Sequence, residues 1–296
     1  MRVCHGITTV FDDPNLVSCA GLAPVLELAE RAGLHDLVQE HVHVDRAGGQ
    51  NALLKIVSLI AGMIAGADSI DDMSLLRHGA MRRLFTGVRA PSTLGTFLRA
   101  FTFGHVRQLD AVASRLLINL ARRAPLLTGG DELGYVDVDD TVKPTFGYAK
   151  QGAGRGYTGV KGLNALLAVV STPTSAPLIV AARLRKGSSN SARGAARLVT
   201  DALITAKNAG ATGLRILRAD SAYYGHEVIA AALRQKACFS ITARQDKAVR
   251  RPIASIGGDA WTPTSSSSAG SPTPRSPRSP TPRSPPSPRP SRSPPG

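Results

Sequence analysis

The sequence predicts a mixed α/β layer preceded by an all-helical domain, and three changes of pattern along the chain predict it. Up to about residue 130, apolar residues recur at helical spacing. From about Leu133 the period shortens to two, as in strands with one face buried. From about Thr262 the chain is almost entirely Ser, Pro and Arg, with no acid, no aromatic and no Leu, Ile or Val. The boundaries that follow are 1–130 for a helical domain, 131–261 for an α/β domain and 262–296 for a tail. That tail cannot bury enough apolar surface to offset its ordering entropy and is expected to be disordered.

In the first region, Leu22, Val25, Leu26 and Ala29 form one helical stripe that Gly33 ends. Leu53 to Ala67 is nearly all apolar but includes Lys55 and is too short to span a bilayer, so it reads as a buried helix. Pro91 beside Ser92 and Thr93 marks a further helix start. Val106, Leu109, Val112, Leu116, Leu117 and Leu120 repeat the period until Pro125 stops it.

In the second region, Gly134 to Thr141 alternates, placing Tyr135, Asp137 and Asp139 on one face and Val136 and Val138 on the other. Leu163–Ser171 and Leu178–Leu184 are β-rich runs around a Pro-containing turn and predict a hairpin. Ser191 to Ala209 reads as a helix that turns Leu198, Ala202 and Thr205 or Ala206 inward. A short strand at Leu214–Leu217, a helix at Glu227–Lys236 and a strand at Cys238–Thr242 complete the order β-β-β-α-β-α-β.

Composition narrows the function. Thirty-six Lys and Arg against 21 Asp and Glu give a formal charge of +15, which favours a polyanionic partner, with nucleic acid the first candidate. Three scattered cysteines (Cys4, Cys19 and Cys238) exclude a disulfide framework and favour a reducing compartment. No apolar leader is visible at the start, so a cytoplasmic, nucleoid-associated protein with no membrane partner is expected.

The acids that stand out are Asp137, Asp139 and Asp140 at the end of the first strand, and Asp220 just after a later one. Carboxylates crowded at one strand end repel each other unless a cation compensates, and oxygen donors suit Mg²⁺ or Mn²⁺. A solvated strand end is the competing reading, and Asp220 also fits a helix N-cap. Acids at the carboxyl ends of neighbouring strands would lie close enough to share metal ions.

Asp137-Val-Asp-Asp-Thr141, Tyr148-Ala-Lys-Gln-Gly-Ala153, Gly156-Tyr157, Lys161-Gly-Leu-Asn164 and Arg218-Ala-Asp-Ser221 together resemble an insertion-sequence transposase family. It is the insertion-sequence-1380 family of the insertion-sequence-4-like group, of DDE type. Gly66-Ala-Asp-Ser-Ile70 and the run Ala90–Arg99 extend the resemblance over roughly residues 15 to 262. It implies a ribonuclease-H-like mixed sheet, incomplete here, and Mg²⁺ (or Mn²⁺) as cofactor. By the Asp-x-Thr pattern the first catalytic and metal-binding aspartate is carried to Asp139, with Asp137 the runner-up, and the second to Asp220. The third carboxylate, a glutamate on a later helix, is implied beyond Trp261, and no residue of this chain is assigned to it.

The same picture gives the basic residues a role. Lys143, Lys150, Arg155 and Lys161 alternate with Phe146, Tyr148 and Tyr157 in a Gly-rich stretch after the first strand, where cations would meet phosphates and aromatics would stack. Arg183, Arg185, Lys186 and Arg193 form a second basic run near the hairpin end, and Arg99 closes the segment before the long helix; Arg185, Lys186 and Arg99 are expected to contact DNA. The partners expected are double-stranded DNA, as element terminal repeats and target, and further copies of the chain assembled on it. The resemblance ends at Pro263, and the composition beyond it is what GC-rich DNA gives when read out of frame, so a frameshift or truncation is expected. The function expected is therefore a transposase impaired by its missing third carboxylate. The alternatives are a non-catalytic basic nucleic-acid-binding protein and, less favoured, a host nuclease.

Overall fold

The computed structural model describes residues 13–44, 49–146, 150–156 and 158–260. Residues 13–245 within it belong to one compact unit, and Asp246 onward to a second. The expected disorder of 262–296, the absence of a leader at the start and the aromatic positions Tyr148 and Tyr157 lie outside the described residues.

Among the described residues six α-helices precede the sheet: α1 (Leu22–Arg31), α2 (Leu34–His41), α3 (Ala52–Ile64), the single turn α4 (Met81–Leu84), α5 (Pro91–Arg99) and α6 (Phe103–Ala121). Gly33 separates α1 from α2 at φ +88°, a left-handed conformation that glycine adopts without Cβ strain. The expected buried helix is α3, and its Lys55 is buried with its ammonium 5.2 Å from the centre of the Phe97 ring. Pro91 opens α5 at its first turn, where its missing N–H costs nothing. α6 starts where the Thr102 N–H donates to His105 Nδ1 at 3.0 Å.

α6 joins two apolar cores. Val112, Leu109 and Leu116 pack with Leu34, Val38, Ile56 and Phe97 in the helical region. Leu117 and Ala121 instead pack against the core beneath the sheet.

The sheet contains β1 (Leu133–Pro144), β2 (Gly154–Arg155), β3 (Lys161–Ser171), β4 (Leu178–Lys186), β5 (Leu214–Ala219) and β6 (Cys238–Ile241). The hairpin expected from sequence is β3–β4, antiparallel, and β3 also pairs antiparallel with β1. β1, β5 and β6 are mutually parallel. The crossovers are α7 (Ala195–Asn208), from β4 to β5, and α8 (His226–Arg234), from β5 to β6. Three antiparallel strands followed by two helix–strand repeats, with β1 central, is the ribonuclease-H-like arrangement expected. The short β2 adds one small strand to it.

Val136, Val138, Leu166, Ala168, Val170 and Leu217 face α7 and α8 and are buried with Leu198, Ala202 and Ala206. On the opposite face, Tyr135, Asp137 and Leu167 are only half covered, and Asp139 is exposed. Burying an apolar side chain of this size contributes about 1.5–3 kcal/mol, so one face holds the sheet together and the other stays available. At the strand ends the backbones approach so closely that a Cβ on Gly187 would overlap the carbonyl oxygens of Gly162 and Gly154. A Cβ on Gly162 would likewise overlap the Lys143 carbonyl.

In the second unit, α9 (Lys247–Ala254) begins at Asp246, whose carboxylate accepts from the Val249 N–H at 3.0 Å. Among the described residues no helix is long and apolar enough to cross a membrane.

Candidate active site

The parallel pairing of β1 with β5 aligns Asp137 with Arg218 and Val138 with Ala219. One step further along both strands come Asp139 and Asp220. Paired positions of parallel strands lie about 4.8 Å apart and project to the same side. Asp139 thus follows the last paired position of β1 with β5, and Asp220 is the first residue past β5, so both stand at the carboxyl ends of adjacent strands. Carboxyl ends of strands are where open α/β sheets gather ligands, because the loops diverge there.

Each carboxylate is partly held by backbone. Asp139 Oδ1 accepts from the Asp140 N–H at 2.7 Å. Asp220 Oδ1 accepts from the Ala222 N–H at 2.9 Å and caps the 3₁₀ turn Ser221–Tyr223, so the N-cap reading of Asp220 describes a real contact. Capping fixes the side chain by one oxygen and does not oppose a ligand role for the other.

Asp137 lies on the same face as Asp139, one pleat earlier. Arg218 grips it with two bonds, Nε to Oδ1 at 2.6 Å and Nη2 to Oδ2 at 2.7 Å, and lies over the Tyr135 ring at 4.2 Å. The Asp137 hydrogen bond is the main reason the Arg218 guanidinium holds its proton above its ordinary range. A carboxylate taken up in this way is less available to a cation than its neighbour Asp139.

Asp140 points the other way. The alternation that exposes Asp139 turns Asp140 toward the core, where its side chain is 4 % exposed. Arg185 Nη2 donates to Asp140 Oδ2 at 2.7 Å, Asn164 Nδ2 donates to the same oxygen at 2.6 Å, and Ser191 Oγ lies 3.2 Å from Oδ1. Arg185 also donates to Asn164 Oδ1 and to the carbonyls of Asn190, Ser191 and Arg193. Burial is what most lowers the Arg185 guanidinium below its usual proton affinity, and Asp140 opposes it. The expectation that Arg185 meets DNA phosphate therefore needs correction: its side chain is 6 % exposed and spends its donors inside the protein. Alternation explains this, since Arg185 falls on the helix-facing side of β4.

Sequence reading missed this brace. The available signal was the pleat: Asn164 alternates with the core positions Leu166 and Ala168, as Asp140 does with Val136 and Val138. Polar residues in those places require partners. Tyr223 was missed as well; it is 1 % exposed, within the core beneath the sheet.

Of the remaining basic candidates, Lys143, Arg155, Lys161 and Lys186 gather at one end of the sheet. Lys143 and Lys186 both register against Leu163, and Arg155 pairs with Lys161. Lys143 lies in β1 itself, which runs on to Pro144, rather than in the loop expected. It is four residues past Asp139, or about 13 Å along the strand. Arg155 donates to the Gly159 carbonyl at 2.6 Å, Lys150 is exposed, and Tyr157 lies outside the described residues. Arg99 is exposed at the end of α5 and donates to Thr96 Oγ1, apart from this group in sequence.

Among the described residues, no group of three or more His, Cys, Asp or Glu side chains is assembled to hold a metal ion. Asp139 and Asp220 offer a pair of hard oxygen donors, which fits a divalent cation such as Mg²⁺.

No curated protein matches the sequence. A chain in the crystal structure of the Mos1 strand transfer complex is similar at 11% identity, over 68% of this chain and 63% of that one, with a TM-score of 0.22. This chain thus spans under two thirds of that chain's length, and a likeness so loose adds nothing to the fold read from the strand order. The family model "Transposase DDE domain group 1" matches residues 4–278, past Pro263 where the motif resemblance ends. With that match covering most of its length, the chain belongs to the DDE transposase family, group 1.

Proposed function

We propose that this chain is the transposase of an insertion sequence, of the insertion-sequence-1380 family, acting on the DNA ends of its element. The observation that supports this reading is the parallel register of β1 and β5, whose last pair, Val138 with Ala219, immediately precedes Asp139 and Asp220. In this reading the two aspartates hold the cation and Asp137, tied to Arg218, is a lesser ligand. A divalent ion bound there would supply Lewis-acid activation for in-line attack on a phosphodiester. Lys143, Arg155, Lys161 and Lys186 hold the DNA backbone beyond the carboxylates, and Lys150, Tyr157 and Arg99 extend the contact. Residues 1–130 recognise the element end, 131–261 carry the chemistry, and the active assembly is a homo-oligomer on DNA.

We further propose that cleavage by this chain is impaired. Support comes from the Ser-, Pro- and Arg-rich composition of 262–296, which holds no Asp or Glu where the resemblance implies the third carboxylate. The same observation favours a second reading, DNA binding without catalysis. A cleavage assay with the purified full chain, element-end duplex and Mg²⁺ or Mn²⁺ separates the two. Weak nicking that disappears in Asp139→Asn and Asp220→Asn is expected. Robust cutting would refute impairment, and cutting indifferent to both substitutions would refute the site. Reading the encoding DNA in its other two frames tests the frameshift: a Glu-bearing helical segment is expected in one of them.

A further inference from the structure

A cavity of about 310 Å³ lies where α6, β4 and α7 meet, and its charged lining is four arginines and two aspartates. Arg107 and Arg115 come from α6, Arg183 from β4 and Arg197 from α7, against Asp110 and Asp201. None of the six belongs to the carboxylate pair or to the basic strand ends.

The two carboxylates are oversubscribed. Asp201 meets Arg197 at 3.0 Å, Arg183 at 3.3 Å and Arg107 at 3.8 Å, and Asp110 meets Arg107 at 2.6 Å. Arg183 is the worst served. Its side chain is 15 % exposed, yet its Nη1 reaches the Gly194 carbonyl only at 3.5 Å, and its Nε is buried without a partner among the described residues. Burial first, and then the charge of Arg107, lower its proton affinity; Arg197 adds to them, and Asp201 and Asp110 offset only part. Like charges gathered out of water cost stability unless a counter-charge joins them. Here the surplus cations line an open space.

We propose that this cavity binds a phosphate group, carried by a DNA backbone or free in solution. Guanidinium groups present paired N–H donors that match phosphate oxygens. Phosphate oxygens diverge tetrahedrally, so they suit arginines arriving from three separate elements better than a planar carboxylate does. Arg115 is exposed and Arg197 is 72 % exposed, so the rim is open, while Arg183 lies deeper. The site stands whether or not Asp139 and Asp220 hold a metal.

The test is thermal unfolding of the full chain in sodium phosphate and in sodium chloride of equal ionic strength. It compares the wild type, Arg183→Gln, the exposed pair Arg115→Ala with Arg197→Ala, and the charge-matched pair Arg122→Ala with Arg123→Ala. A bound anion stabilises the native state by mass action, so the wild type and the charge-matched pair are expected to gain at least about 3 °C in phosphate over chloride. The two cavity variants are expected to gain less than about 1 °C. Should Arg183→Gln fail to fold, the exposed pair decides. The salt dependence of duplex binding by the same proteins identifies the source. With the phosphate gain lost, a slope of log affinity against log salt flattened by about 0.9 assigns a DNA phosphate, and an unchanged slope assigns a free one. Equal gains in the wild type and the exposed pair overturn the site whatever the slope. So does an equal loss in the charge-matched pair, or a wild type that gains nothing.

Discussion

Arg185 and Asp140 form a buried ion pair at 2.7 Å directly behind the strand position that carries Asp139. With side chains 6 % and 4 % exposed, neither charge is screened by water. Arg185→Ala would strand the carboxylate, and a loss of about 3–5 kcal/mol is expected. Replacing both partners with apolar residues of similar volume is expected to cost less than the single change, because no lone charge remains. Urea unfolding of the two variants checks the order.

Asp137 and Asp139 are two residues apart on one face, but only Asp137 is gripped by an arginine. Asp139→Asn and Asp220→Asn are each expected to abolish Mn²⁺-dependent nicking while leaving urea unfolding close to wild type. Asp137→Asn breaks a half-exposed pair with Arg218, worth about 1 kcal/mol or less, and should retain part of the nicking. Equal loss in all three variants would return Asp137 to the ligand set.

The basic strand ends make a salt-dependent prediction. Each of Lys143→Ala and Lys186→Ala is expected to flatten the slope of log affinity against log salt by about 0.9 on duplex DNA. Arg185→Gln, measured where the protein stays folded, should leave that slope unchanged, because its guanidinium faces inward. Fluorescence anisotropy at several salt concentrations distinguishes them.

Asp110 of α6 donates the pH dependence. Its carboxylate pairs with Arg107 at 2.6 Å, yet burial raises its proton affinity above the ordinary carboxylate value, Arg107 and Arg183 opposing. The native state therefore binds this proton more readily than the unfolded chain does. For this group, stability is greatest below the ordinary carboxylate pKa and falls as pH rises through the raised one. Unfolding free energies of wild type and Asp110→Asn, measured across the acidic range, should show the wild type losing ground to the variant as pH increases. A constant difference would contradict the shift.

Much of this was legible beforehand because it depends on local period. The alternation in Gly134–Thr141 gave the faces of β1, the stripe in Ser191–Ala209 gave the buried side of α7, and the Pro-rich break after Ser171 gave the hairpin. Strand ends were less legible: Lys143 reads as loop, yet pairing with β3 carries β1 on to Pro144.

What the sequence by itself determined is the order of elements and the basic character, since each rests on residue type and spacing along the chain. Tertiary structure alone decided which charges are spent and which are available. Arg185 and Asp140 look like surface charges in one dimension, but the pleat turns both inward and makes them each other's partner. Asp139 and Asp220 lie eighty-one positions apart in the chain, and only the parallel register of β1 and β5 brings the strand ends next to them together, because strand pairing sets distances that sequence separation does not.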